Sequence, residues 1–215
     1  MNNKQVIFNS IGDGTINLSS EFISLFPQLT QLLSKASKVE FTLNGNQRFR
    51  QYIWTNSKGQ TSGWLCKLEH CIPQGRNLID EHILLANTMG GIIDYWVDGN
   101  IGQIKSFIQA NNFTFCLTDS HTGIIGWEDT RERCKMKAIA SRNVSDYVTF
   151  ALEANGNSTF YNHKTKEVFV YLHDDYSPFD TEPICDCPIY RYHEAKTFVD
   201  YVELLAKQWQ EALNN

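Results

Sequence analysis

Six cysteines and six histidines, with the Asp174–Asp175 pair, are the residues through which this chain could do chemistry. Cys66, His70 and Cys71 lie close together, but a zinc site needs a fourth ligand and prefers a Cys-x-x-Cys spacing, which is missing. Cys185-Asp186-Cys187 with His193 also suggests metal; its Cys-x-Cys spacing and Pro188 do not support zinc. Ser120-His121 is not a nucleophile–base pair, because neighbouring side chains on a strand face opposite ways and no acid is placed to orient the imidazole. Asp174-Asp175 could bind a metal or present charge. There is no Walker loop, Gly-x-Ser-x-Gly, His-Glu-x-x-His or Cys-x-x-Cys. No catalytic residue, metal ligand or cofactor is assigned.

The elements that would position these residues are legible in part. Leu78, His82, Leu85 and Met89 form one helical stripe, with Ile79, Ile83 and Ala86 beside it. Asn77 stands where an N-cap belongs, and the charge of Asp80 suits the helix dipole. His82 on that stripe reads as a satisfied core histidine. Gly90-Gly91 stops the helix, since glycine adopts positive φ without a Cβ clash, and Ile92 to Val97 resumes as a strand. Upstream, Phe22, Leu25, Phe26, Leu29, Leu32 and Leu33 recur at helical spacing, interrupted by Pro27, so a kink or two short helices are expected. Val39, Phe41 and Leu43, the turn Asn44-Gly45-Asn46, and Phe49 to Trp54 predict a hairpin, with Trp64 to Leu68 as a third strand.

Downstream, Ile104 to Ile108 predicts a short helical turn, Phe113, Phe115 and Leu117 a half-buried strand, and Glu128 to Ala140 an exposed helix. Tyr147 to Leu152, Thr159 to Tyr161 and Glu167 to His173 predict an antiparallel meander, turned at Asn155-Gly156-Asn157 and at Asn162 to Lys166. Thr197 and Asp200 can cap a final helix whose stripe is Phe198, Val199, Val202, Leu205, Ala206, Trp209 and Leu213.

Two of these stretches resemble the SUKH superfamily of Smi/Knr-type proteins. The first is the helix followed by Gly90-Gly91-Ile92. The second is the meander, with its Asn155-Gly156 turn, its Lys-Thr turn and the acids that follow; Lys166 stands where the family often has glycine. The resemblance spans roughly residues 75 to 210. It implies a bacterial immunity protein that neutralises a cognate toxin domain, often a nuclease, by direct contact.

The expected fold is therefore α+β: a single domain over residues 1–215, with a mostly antiparallel sheet and helices at 78–89 and 197–213 packed on one face. Residues 1–70 form a possible N-terminal extension. At 215 residues, with 42% hydrophobic, 13% aromatic and 20% charged residues, the chain can bury a sizeable core. A net charge of −5 argues against a nucleic-acid partner. No apolar run reaches transmembrane length and no signal peptide is evident, so a cytoplasmic protein with six thiols is expected. The candidate binding residues are Asp174, Asp175, Tyr176, Phe179, Asp180 and Glu182; Gly90, Gly91, Asn155 and Gly156 are structural. The expected function is protein binding without catalysis. The alternatives are a regulatory or scaffold module of the same fold, and a cryptic enzyme using Asp174, Asp175, His173 and Cys185.

Overall fold

The computed structural model describes residues 8–43, 46–69, 71–97, 107–108, 111–127, 144–174, 179–184 and 187–214. In chain order the elements are β1 (Phe8–Asp13), α1 (Ser20–Leu25), α2 (Pro27–Ser34), β2 (Ser37–Leu43), β3 (Gln47–Thr55), β4 (Thr61–Leu68), α3 (Asp80–Met89), β5 (Gly91–Val97), β6 (Asn111–Thr114), β7 (His121–Thr122), β8 (Tyr147–Glu153), β9 (Ser158–Asn162), β10 (Val168–Tyr171), β11 (Thr181–Pro183), β12 (Ile189–Tyr192) and α4 (Phe198–Asn214).

The α+β expectation is corrected. The protein is mainly β, with 39% strand against 27% helix. Among the described residues one sheet of twelve strands runs β1-β2-β3-β4-β5-β6-β8-β9-β10-β12-β11, with β7 beside β8. All its strand pairings are antiparallel. Two physical facts defeat the simpler picture. First, β4 pairs with β5, so four strands from the first 70 residues extend the same sheet as the meander. Second, the sheet is not covered on one face alone. Val168 and Val170 point into a core shared with α1, α2, α3 and α4, whereas Phe169 and Tyr171 point into a second core with Ile124, Trp127, Tyr147, Phe160 and Ile189. Strands buried on both sides lose the polar alternation that marks a half-exposed sheet.

Local chemistry explains the helices. Ser19 caps α1 by accepting from the Phe22 N–H at 3.1 Å. Pro27 opens α2 at its first turn, where its missing N–H costs nothing, so the apolar stripe divides into two helices. The uncapped start of α2 is served from a distance: the Glu203 carboxylate on α4 accepts from the N–H groups of Gln28 and Leu29 at 2.8 and 3.1 Å. Thr197 and Asp200 form a reciprocal capping box at the start of α4. The expected N-cap at Asn77 is displaced: α3 starts at Asp80 with Ile79 as its cap, and the Asn77 amide donates to the Ser145 carbonyl.

The two glycines that end α3 do different work. Gly90 has φ +90, a region other residues rarely enter, and a Cβ there would lie 2.7 Å from the Lys67 carbonyl oxygen. Gly91 is an ordinary strand residue with no room: a Cβ would lie 2.5 Å from Cys116 Cα. The end of α3 is also capped by cationic and phenolic groups from β3. Arg50 Nη1 donates to the Thr88 carbonyl at 2.9 Å and Tyr52 Oη to the Met89 carbonyl at 3.1 Å. Glu40 balances Arg50 at 2.6 Å.

The meander turns as expected at Gly156, whose φ is +94. The Asn155 side chain accepts from the Asn157 N–H at 3.0 Å. At the second turn Lys166 adopts φ +62, the backbone a glycine would take, and its ammonium pairs with Glu81 on α3.

Candidate functional site

The proposed binding acids sit around β11, the short strand at one end of the sheet. Glu182 is at its centre, exposed, opposite Arg191 in register. Arg191 does not neutralise it: the guanidinium lies over the Phe169 ring and pairs with Glu167 at 3.0 Å. Asp180 precedes the strand, with its side chain 83% exposed and His193 Nε2 at 3.7 Å. Asp174 is also exposed and pairs with His173 Nδ1 at 2.8 Å.

Register separates these acids. Tyr171 is opposite Ile189, so Asp174 lies beyond the Ile189 end of β12, whereas Thr181 is opposite Tyr192, which puts Asp180 at the other end. Asp180 and Glu182 come together; Asp174 stands apart. Phe179 is not an exposed anchor. Its ring packs on Phe107 at 4.5 Å and on Tyr192 at 6.2 Å, tying the acidic segment to the core. Asp175 and Tyr176 lie outside the described residues, as do His70, Cys185, Asp186 and the 128–140 segment.

A second polar centre, with no signature in the sequence, lies between β4 and the turn at 115–120. Glu69 follows β4 and is buried, 7% exposed. Its carboxylate accepts from the N–H groups of Leu117 and Thr118 at 2.5 and 3.0 Å, and from the Thr118 hydroxyl. Lys67 Nζ pairs with Glu69 at 3.5 Å and with Asp119 at 3.3 Å. Arg76 donates to the Leu117 carbonyl and to Ser120 Oγ. These bonds hold a turn that begins with Phe115 at φ +66. The bonds that reach this turn from Lys67, Glu69 and Arg76 span 41 to 52 residues, so no local spacing could reveal them. The centre binds the backbone of the turn through the buried Glu69 carboxylate, while the Asp119 and Lys67 side chains stay partly exposed. Ser120 is buried and donates to the Leu117 carbonyl at 2.7 Å, and His121 is an exposed residue of β7. Burial, Glu69 and Asp119 together push the Cys116 thiol well up, and burial does the same to Cys66.

His82 lies fully in the core. Its Nε2 is 3.0 Å from the Phe115 carbonyl, an acceptor only, so that nitrogen carries the proton and Nδ1 accepts from Tyr161 Oη at 3.1 Å. Burial lowers the imidazole to about 4, so it is neutral at pH 7.

An open groove of about 410 Å³ is lined by Gln28, Glu194, Asp200, Glu203, Leu204 and Lys207. Two of its acids are the helix caps Asp200 and Glu203. Among the described residues no cluster of three His, Cys, Asp or Glu side chains could hold a metal ion. The six-thiol expectation is corrected at Cys187, which is disulfide-bonded; Cys66, Cys71 and Cys116 are free. Among the described residues no helix is long and apolar enough to cross a membrane.

No family model, curated protein or solved structure matches this chain.

Proposed function

We propose that this protein acts by occlusion and not by turnover, as an immunity protein that covers a cognate bacterial toxin domain. The observation that carries this reading is the exposed acidic pair of Asp180, just before an end strand, and Glu182 on it, backed by a Phe179 ring packed against the core. Acids on a preorganised edge lose little freedom on binding and can be desolvated against basic residues of a nuclease site. The net charge of −5 steers such a partner. The Smi/Knr-like motifs at Gly90-Gly91-Ile92 and in the meander add the family expectation. Burial of Ser120, Cys66 and Cys116 favours binding over nucleophilic catalysis. The reading includes a cytoplasmic location, where the Cys187 disulfide would be open to reduction.

The test pairs the chain with the toxin domain encoded beside it. Asp180→Lys plus Glu182→Lys should slow association by on the order of tenfold or more at low salt, with the effect shrinking as salt rises, and should weaken protection of cells expressing the toxin. Unchanged binding and protection would remove this edge from the interface. Absence of an adjoining toxin gene, or turnover of a substrate by the chain alone, would overturn the reading.

A further inference from the structure

The two ends of the sheet are built differently. At one end β11 is three residues long, carries Glu182 and closes with Pro183, which has no N–H to donate. Such a strand resists further pairing. At the other end β1 runs for six residues without proline or lysine, and beyond the register shift at Asn9 its stretch Ser10 to Asp13 is regular. The Gly14 N–H donates to the Lys38 carbonyl at 2.9 Å, and Gly12 is opposite Glu40. Alternation along an antiparallel ladder then turns the backbone groups of Gly12 towards β2 and those of Ile11 and Asp13 outward. Among the described residues no strand pairs with that outward row. Ile11 is 68% exposed, and a Cβ on Gly12 would meet no atom within 4 Å. Ile11 also heads an apolar row across the sheet. It stands opposite Phe41, which stands opposite Phe49, and the two rings stack at 5.5 Å. The row runs from buried Phe49 to exposed Ile11 and stops at the edge.

We infer that β1 is an association strand on which a second copy of this chain docks, by antiparallel β1–β1 pairing across a two-fold axis. Three observations select a second copy. Pro183 and Glu182 disfavour addition of β1 onto β11, the head-to-tail contact that would grow into a filament, and leave the self-pairing that closes. With the axis through Ile11, Asp13 faces the bulged stretch at Asn9 of the second copy; with the axis through Gly12 it faces Ile11 of the second copy; in neither does it meet its own counterpart, so the one charge on the strand meets no like charge. In the first of these registers Ile11 of the second copy continues the apolar row beyond the edge.

The test is the oligomeric state of the full chain over a dilution series, by sedimentation or light scattering. Wild type should be a dimer that dissociates on dilution, with amide exchange at Ile11 and Asp13 slowing as concentration rises. Ile11→Pro removes an outward N–H that either register uses, while leaving the Gly12 and Gly14 bonds to β2; Ile11→Lys places like charges across the axis when it passes through Ile11, and sets Lys opposite Asp13 when it passes through Gly12. Ile11→Pro should weaken dimerisation by about tenfold or more, the equivalent of about 1.4 kcal/mol, in either register; Ile11→Lys should do the same with the axis through Ile11 and strengthen it with the axis through Gly12, which identifies the register. Glu182→Lys, at the opposite edge, should leave it unchanged. Ile11 is exposed, so both variants should keep the wild-type unfolding midpoint measured at monomeric dilution. A wild type that is monomeric at every concentration overturns the inference. So does a dimer that both Ile11 variants leave intact, an open-ended filament, or a monomer whose β1 amides are protected only by a different protein.

Discussion

Acidification should unfold this protein in a way that traces to one side chain, His82. Its ring is enclosed by Phe198, Tyr161, Phe150 and Phe115 at centroid distances of 5.0, 5.9, 6.2 and 6.5 Å. Among the described neighbours in that set Tyr161 alone can titrate. Burial pushes its phenol up, so it stays neutral throughout the acid range. The imidazole falls from the ordinary 6.5 to about 4 in the folded state. The unfolded chain therefore binds a proton below 6.5 that the folded chain refuses until about 4. The contribution is fully present above 6.5, falls as pH drops through that window, and is gone below 4. At about 1.4 kcal/mol per pH unit the loss is on the order of 3 kcal/mol, a large part of the 5–15 kcal/mol typical of a domain. Urea unfolding of wild type and His82→Gln from pH 7.5 to 4 measures it. Glutamine can still donate to the Phe115 carbonyl, but it carries no titrating group. The variant should be less stable at pH 7.5 and should lack the loss that wild type shows between 6.5 and 4. Subtracting the two curves cancels Glu153 and Glu203, whose carboxyls burial raises and which act in the opposite direction. Parallel curves for the two proteins would refute the argument, as would an imidazole resonance that titrates near 6.5 in the folded state.

Two further predictions concern backbone positions. Gly91→Ala would force its Cβ to within 2.6 Å of the Cys116 backbone nitrogen, so it should cost about 1–3 kcal/mol in urea unfolding; Gly12→Ala, with nothing nearby, should cost nothing or stabilise slightly, and equal effects would refute the crowding argument. Lys166→Gly in a Glu81→Gln background should be as stable as Glu81→Gln alone, or more stable by up to about 1 kcal/mol, because the glycine relieves a left-handed backbone once the ion pair is gone; a further loss of stability would show that Lys166 does more than fill a glycine position.

Features governed by short range were readable from the residues. The break at Pro27, the capping box of Thr197 and Asp200, the stop at Gly90 and the Asn155-Gly156 turn each depend on neighbours within a few positions. The joining of β4 to β5 did not announce itself, because pairing between strands across an intervening helix leaves no local pattern. β11 and β12, three and four residues long, are too short to leave a periodic pattern. Two-sided burial of β10 put Phe169 and Tyr171 where a one-faced sheet would have had polar side chains. Of the candidate binding acids, composition could show that they exist and follow a strand. Only register shows that Asp174 is remote from Asp180, and only packing shows that the Phe179 ring is already engaged.

The aromatic packing beneath α4 gives the molecule a built-in optical reporter. Trp54 on β3, Trp64 on β4 and Trp209 on α4 meet with ring centroids 4.9, 5.3 and 5.9 Å apart. Indoles this close share excitation energy, so their emission behaves as one signal that depends on the helix being docked. Trp127 lies in the core on the opposite face of the sheet, and Trp96 is half-buried on β5. Departure of α4 would therefore change the emission of this cluster, and a Trp209→Phe variant would assign the change without any added label.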